Sequence, residues 1–461
     1  MSYQFHSSII REYDIRGIFG ETLTTQDAYV LGQCLAVYAG SPERAVIGFD
    51  GRDSSPELAA ALTRGFQSQG LDVTHIGLGP SPMLYYSVFE HVFDVGVMIT
   101  GSHNPGHYNG FKMMVGRSTL HGEGIRQLAK IAAETTFQEE RAETPPHKLD
   151  VLDSYLARLL QDYPTPANLK VAWDTGNGAA GPAIEKLIGL LPGKHTHLFA
   201  EVDGTFPNHH PDPTQAENLV DLQKAVRENG CDVGIGFDGD ADRIGVVDDE
   251  GGIIWGDQLM MLYARDVLKS HPGAPIIADV KSSQVFFEDV AANGGRPIMG
   301  RTGHSLIKAK MIEENAPLAG EMSGHIFFAD KFYGFDDAIY AAIRLLNILA
   351  KSGQKLSDFR KSLPTLRTTP ELRFECDEQR KFTIIDEISV RLSEQPDMDV
   401  CRIDGVRVNT DQGWWLIRAS NTQNVLSARI EAKNDQALED LIADCAEQLK
   451  LSGEALPPIK I

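Results

Sequence analysis

Three carboxylates, Asp238, Asp240 and Asp242, alternate through the segment DGDADR, a spacing that lets them converge on one hard cation. The small residues between them let the backbone fold close around it. An EF-hand would need Gly at the sixth position and Glu at the twelfth, where this chain has Arg243 and Asp249, so a calcium-signalling loop is disfavoured. Three oxygen ligands leave room for a phosphate oxygen. That suits Mg²⁺ acting at a phosphoryl group, with Arg243 placed to bind the same group.

A hydroxyl nucleophile, Ser102, lies in TGSHNP beside His103, where Gly101 permits unusual backbone dihedrals. Serine is a weak nucleophile unless it is activated or already carries a phosphoryl group. The esterase elbow G-x-S-x-G is absent, because Thr100 and Asn104 stand where its glycines would be. Taken alone, the segment reads equally well as a capping serine before a turn. Lys112 and Arg16 supply cations that can approach it.

In GEMSGH, Glu321, Ser323 and His325 are spaced by two, so an extended segment would project all three to one side. The carboxylate and hydroxyl can bond vicinal sugar hydroxyls. His325 and His304 are candidates for proton transfer, each weighed against a structural hydrogen-bonding role. Arg418, Ser420, Asn421 and Thr422 combine a guanidinium fork with hydroxyls, an amide and loop N–H groups, a phosphate cradle that needs no metal. Trp414 and Trp415 precede it, and adjacent strand residues point oppositely, so at least one belongs to a core. One metal site, one serine, one sugar reader and one remote cradle fit a phosphorylated sugar bound at both ends. Simple hydrolysis would not need the second cradle.

These segments require elements that aim them. Val95–Ile99 leads into TGSHNP, Val233–Phe237 into DGDADR and Pro317–Ala319 into GEMSGH. Each closes a βαβ-like module: Ala45–Phe49, a helix over Leu58–Gln69 and Leu71–Ile76 in the first; Val171–Trp173 and Thr196–Glu201 in the second; Ile276–Ala278 and Arg296–Met299 in the third. Loops beyond strand carboxyl ends form the ligand side of such sheets. The expected fold class is α/β: three similar domains with mixed, largely parallel sheets and a smaller C-terminal α+β domain. The boundaries are set at 1–150, 151–252, 253–366 and 367–461, with the C-terminal strands at Leu372–Cys376, Asp399–Ile403, Trp414–Ala419 and Val425–Glu431.

The 461 residues are too many for one ordinary domain, and 42% hydrophobic content supplies ample core. A net charge of −21 argues against a nucleic-acid partner. Met1–Gly20 does not resemble a signal peptide, and no stretch is long and apolar enough for a membrane span. Five widely spaced cysteines, Cys34, Cys231, Cys376, Cys401 and Cys445, favour reduced thiols and a cytoplasmic location.

Over essentially its whole length the chain resembles the α-D-phosphohexomutase superfamily, in its bacterial phosphomannomutase/phosphoglucomutase group. The ordered motifs are YDIRG at Tyr13–Gly17, TGSHNPGHYNGFK at Thr100–Lys112, DGTFPNHHPDP at Asp203–Pro213, GFDGDADR at Gly236–Arg243, RTGHSLIK at Arg301–Lys308, GEMSGH, and RASNT at Arg418–Thr422. The resemblance implies four domains around a central cleft, with Ser102 as a phosphoserine that completes a Mg²⁺ site with Asp238, Asp240 and Asp242. It implies Arg16, Lys112 and Arg243 around the reacting phosphate, and Tyr13, Lys281, Arg301 and His304 near the sugar and its phosphate. Glu321 and Ser323 would bind the sugar 3- and 4-hydroxyls, and Arg418, Ser420, Asn421 and Thr422 the non-reacting phosphate.

The implied reaction interconverts hexose 1- and 6-phosphates, with glucose or mannose 1,6-bisphosphate as intermediate and activator. The implied partners are small hexose phosphates, and the implied state is a monomer. Arg301 replaces a frequent lysine, and Gln423–Asn424 stand where many relatives carry proline. The alternatives are a phosphoglucosamine mutase, whose relatives resemble GEQSGH and RPSGTEP where this chain has Met322 and RASNT, and a metal-dependent sugar phosphatase.

Overall fold

The computed structural model describes residues 3–40, 42–137, 144–377, 379–394, 398–420 and 424–459. Its first three sheets repeat one topology. In the first unit, Arg44–Phe49 pairs in parallel with Asp72–Leu78 on one side and Val95–Ile99 on the other. The chain then passes through the TGSHNP loop and returns antiparallel as Tyr108–Val115.

Leu169–Asp174, Gly193–Leu198, Val233–Phe237 and the returning Ile244–Asp248 repeat this order around DGDADR. Pro275–Asp279, Arg296–Gly300, Leu318–Gly320 and the returning Ile326–Phe328 repeat it around the third motif. Each motif is therefore the loop of a hairpin on the carboxyl side of its strand. A tight hairpin pins both ends of a short loop, so side chains on it hold a fixed direction.

The motif strands lie where the apolar runs predict them, but the module pattern ends at each motif and does not include the returning strands. Gly193–Leu198 also begins three residues before the expected Thr196. Its residues Lys194, His195, Thr196 and His197 are polar and exposed or half-buried, so no apolar pattern marks it.

One continuous core binds the three units. It joins Tyr85 of the helix Ser81–His91, Trp173 and Phe237 of the second sheet, and Tyr340 and Leu345 of the helix Ala338–Ser352. Asp337 caps that last helix, accepting from Tyr340 N–H. The C-terminal unit has its own core around an antiparallel sheet of Gly413–Ala419, Val425–Ala432 and neighbours, covered by the helices Arg380–Ser393 and Asp435–Leu451. It includes a strand, Val406–Thr410, that the sequence pattern does not reveal.

Both tryptophans are buried, on opposite faces as the strand period requires. Trp415 lies in this core, while Trp414 packs with Val280 against the third unit. The five cysteines are unpaired. Among the described residues no helix is long and apolar enough to cross a membrane.

Candidate active site

A cavity of 340 Å³ is lined by residues from all four units, including Tyr13, Arg16, Ser102 and Lys112 from the first, Arg243 from the second, Lys281, His304, Glu321, Ser323 and His325 from the third, and Arg418 and Ser420 from the last. The site is a convergence of loops, as the three-motif pattern predicts.

Ser102 is buried and held at a positive φ of 49°, a conformation costly for a residue with a β-carbon. Its Oγ donates to Asp238 Oδ2 at 2.9 Å and lies 3.2 Å from His103 Nδ1. The loop is fixed by a residue outside any predicted site, Arg52. Its guanidinium donates to the carbonyls of Ser102, Asn104, Pro105 and Tyr108, and its Nε to Asp50. Asp50 also receives the N–H of Gly101. A β-carbon at Gly101 would stand 2.5 Å from Arg52 Cζ, so only glycine admits the clamp. Arg16 donates to Asn104 and Asp14.

Asp238, Asp240 and Asp242 are fully buried, and their carboxylates present oxygens within 4.8 Å of one another. Asp238 Oδ1 accepts from the N–H groups of Asp242 and Arg243, closing the turn. Burial, then the neighbouring Asp242 and Asp240, push the Asp238 carboxyl well above its ordinary range. Burial acts the same way on Asp242, but Lys112, with help from His325, outweighs it and holds that group low. Lys112 bridges Asp240, at 2.6 Å, and Asp242. Asp240 Oδ1 and Asp242 Oδ1 remain buried without hydrogen-bond partners. Buried anionic oxygens without donors require a cation, and an oxygen-only set selects a hard one. The triad therefore fits a divalent metal of the Mg²⁺ type.

The third motif is not extended. Glu321 N–H donates to the His325 carbonyl and Gly324 N–H to the Glu321 carbonyl, with Gly324 at φ 88°, so Glu321–His325 forms a tight turn. Glu321, Ser323 and His325 still share the cavity, because the turn gathers what a strand would have aligned. Glu321 accepts from Gly303 N–H at 2.5 Å, and burial raises its pKa. His325 Nε2 lies 3.0 Å from Arg243 Nε. His304 is buried and its pKa is pushed down to about 4, chiefly by that burial. Tyr13 donates to the Thr302 carbonyl at 2.7 Å, reaching from the first unit to the third. Lys281 lies 3.4 Å from Glu371, whose pKa is held down to about 2 against burial by Lys281 and Arg373.

In the C-terminal unit Arg418 is buried and pairs with Asp404 at 3.1 Å. Asp404 also accepts from Thr302 N–H, which ties the cradle side to the third unit. Asn421 and Thr422 lie outside the described residues. Arg301 is not brought to the cavity: it follows the strand Arg296–Gly300 and is exposed.

Several groups at the site escape motif reasoning: Asp50 and Arg52 behind the serine loop, Asp336 behind the histidines, and Arg373; Asp212 lines the cavity from within the Asp203–Pro213 motif, to which the sequence assigns no role. The Asp50–Arg52 pair carried a signal. It follows a buried strand at its carboxyl end, the criterion that selected the three motifs. Asp336 carried none, being one acid in GFDDA before a helix.

Sequence profiles of four domain families match in order: phosphoglucomutase/phosphomannomutase α/β/α domain I over residues 7–139, domain II over 153–252, domain III over 255–366 and the C-terminal domain over 371–448. The chain is 45% identical over 437 residues to a phosphomannomutase/phosphoglucomutase of Pseudomonas putida, covering 94% of this chain and 93% of the relative. It is 42% identical to one of Pseudomonas aeruginosa, covering 98% and 97%. A phosphoglucomutase of Neisseria meningitidis is 43% identical, with 94% of each chain covered. A crystal structure of a phosphoglucomutase/phosphomannomutase family protein from Burkholderia thailandensis superposes with a TM-score of 0.89 at 38% identity, over 100% of both chains. Four matching domains in order, at these identities and over these lengths, show that the chain belongs to the phosphoglucomutase/phosphomannomutase family.

Proposed function

We propose that the protein is a phosphomannomutase/phosphoglucomutase that interconverts hexose 1-phosphate and hexose 6-phosphate through a phosphoserine at Ser102. The observation that carries this reading is the hydrogen bond from Ser102 Oγ to Asp238 in a cavity that also holds Arg418. The cavity thus pairs a transfer centre with a second anion anchor.

The free hydroxyl oxygen of a bound hexose monophosphate attacks the phosphorus of phosphorylated Ser102. A sugar O–P bond forms as the serine Oγ–P bond breaks, and the hydroxyl proton passes to one of the His304/His325 pair. The resulting 1,6-bisphosphate turns end for end and its other phosphoryl group returns to the freed Ser102 Oγ: the serine O–P bond re-forms as that sugar O–P bond breaks, and the histidine gives its proton to the released sugar oxygen. Arg16, Lys112 and Arg243 surround the transferring group. Asp238, Asp240, Asp242 and the phosphoserine oxygen would hold Mg²⁺, whose charge offsets that of the moving phosphoryl group. Arg418, Ser420, Asn421 and Thr422 hold the phosphate that is not reacting. Glu321 and Ser323 take the 3- and 4-hydroxyls, while Tyr13, Lys281 and Arg301 assist sugar and phosphate binding, Arg301 only if it turns inward.

Glucose and mannose differ at the 2-hydroxyl, so a reader of the 3- and 4-hydroxyls accepts both. The relatives named for both sugars support this breadth. The reading includes action as a monomer, and the unpaired cysteines favour the cytoplasm.

Turnover on glucose 1-phosphate, mannose 1-phosphate and glucosamine 1-phosphate tests the substrate. A tenfold preference for the amino sugar would overturn the assignment, and steady phosphate release matching substrate loss would make the protein a phosphatase. Intact-protein mass spectrometry should show one phosphoryl group that Ser102→Ala removes together with near-normal turnover.

A further inference from the structure

Behind the cavity, the carboxylate of Asp336 is fully buried and faces three groups at once. Its Oδ1 is 3.0 Å from Lys308 Nζ, and its Oδ2 is 3.2 Å from His325 Nδ1 and 3.3 Å from His304 Nδ1. The two imidazoles stack with centroids 5.5 Å apart and an interplanar angle of 16°, so one oxygen serves the same edge of both rings. The two Nδ1 contacts are close in distance but not aligned as hydrogen bonds, and these three buried atoms have no other hydrogen-bond partner. The alternative acceptor, Asp242 Oδ1, is farther from His325 Nδ1, at 3.6 Å.

The opposite edge of His325 settles its proton. Arg243 Nε carries a hydrogen at every physiological pH and approaches His325 Nε2 at 3.0 Å, so Nε2 must accept. A neutral imidazole has one donor and one acceptor nitrogen, which places its hydrogen on Nδ1, facing Asp336. A protonated Nδ1 has no lone pair for a metal, so the close grouping of Asp242, His325 and Asp336 does not form a second cation site in this tautomer. When Arg243 turns to a phosphate, the Nε2 lone pair is released at the cavity side.

We infer that Asp336 is a positioning residue for the transfer step: facing the Nδ1 edge of His325, it keeps the hydrogen on Nδ1 once Arg243 leaves the ring, and so presents the Nε2 lone pair as a proton acceptor. Lys308 keeps the carboxylate ionised in its buried setting. Burial raises the Asp336 pKa, but Lys308 and then His304 hold it well below the ordinary range. The inference rests on the phosphoserine reading above, since only that reaction gives the lone pair a hydroxyl proton to take.

The test is ¹⁵N spectroscopy of the full-length, histidine-labelled protein without substrate, with the His325 signals identified by their loss in His325→Gln. The wild type should show Nδ1 protonated and Nε2 unprotonated. An Nε2–H tautomer would overturn the inference whether or not any variant folds, and the measurement does not depend on activity. In Arg243→Met, which frees Nε2, His325 should keep Nδ1–H while Asp336 is present, and adding Asp336→Asn, which can donate toward Nδ1, should shift it to the other tautomer; the kinetics are read in Asp336→Asn alone. By analogy with a mis-set catalytic imidazole, kcat should fall by about a hundredfold or more while KM stays within about threefold. A matched fall in kcat and rise in KM, with an unchanged tautomer, would reduce Asp336 to packing. A wild type with the expected tautomer but no mutase turnover would count against the phosphoserine reading instead.

Discussion

A buried carboxylate stays ionised only where something positive answers it, and the Asp238–Asp240–Asp242 turn has one lysine for three acids and two oxygens without donors. Mg²⁺ should therefore raise the melting temperature of the wild type by mass action, and Asp240→Asn should abolish most of that rise while lowering kcat by orders of magnitude. Calorimetry with and without chelator checks it. An equal Mg²⁺ shift in the variant would move the metal elsewhere. His304 supplies a second prediction. Its folded pKa of about 4 lies below the ordinary value of 6.5, so the unfolded chain binds more protons between those limits. Its contribution to stability is complete above about pH 6.5 and is lost as the pH falls toward 4. The difference is worth about 3 kcal/mol. Denaturant unfolding at pH 7.5 and pH 5 should show a smaller loss in His304→Gln than in the wild type. Ser102 and the aspartates were legible because unusual polar residues follow buried strands directly. Asp336 was not, because its partners Lys308 and His304 are 28 and 32 positions away in the chain and no periodicity links them.

The three units share more than a strand order. In each, the strand flanked by two parallel partners ends in or runs directly into a buried aspartate: Asp50, Asp174 and Asp279. Asp50 accepts the Gly101 N–H and Asp279 the Met322 N–H, so in two units the strand end holds the neighbouring motif loop. In the second unit Asp174 instead accepts the Gly176 N–H and lies 3.1 Å from His209. In the first unit Arg52 extends the device to four carbonyls. Lysine retains the charge but carries its donors on one atom and cannot span them. Arg52→Lys should leave carbonyls of a buried loop unpaired, at about 1–3 kcal/mol each for those not rescued by water. Amide exchange across residues 100–108 should accelerate, and kcat should fall about tenfold or more with little change in KM. Unchanged exchange would show that the hairpin alone fixes the serine. The strand ends were readable from apolar runs closing on Asp. The returning strands were not: Asn109 and Lys112 interrupt Tyr108–Val115, and DDEGG masks the end of Ile244–Asp248 as a boundary.

At the scale of the molecule, Ser102 and the aspartate triad sit on units joined by one core, whereas Arg418 sits on a unit with its own. Beside the Trp414–Val280 contact and the Asp404–Thr302 bond, the C-terminal unit is joined to the rest by buried polar groups on the segment that carries Lys281. Arg407 donates to the carbonyls of Val280 and Ser282 and stacks 3.8 Å over Trp414; Arg429 donates to the Lys281 carbonyl; Glu431 accepts from Ser283 and Gln284. Lys281 and Arg418 are thus braced together, and both line the cavity that holds Ser102. The sequence places the last domain boundary between residues 366 and 367. Arg367–Thr368 pairs with Val425–Ala432 and so belongs to the C-terminal sheet, while the segment 363–366 before it carries no helix or strand. A substrate that presents its two ends in turn needs an anchor that treats both alike. Arg418→Lys, which loses the fork, and Arg407→Met, which never touches the sugar but loosens the brace, should weaken glucose 1-phosphate and glucose 6-phosphate together. A loss of about 1.4 kcal/mol would be a tenfold weakening of each. Both variants should also release more 1,6-bisphosphate before the second transfer. Titration calorimetry with each monophosphate, and a trap for free bisphosphate, measure this. Weakening of one sugar phosphate alone would mean that the two ends are held by different groups, and that the cradle is not the common anchor.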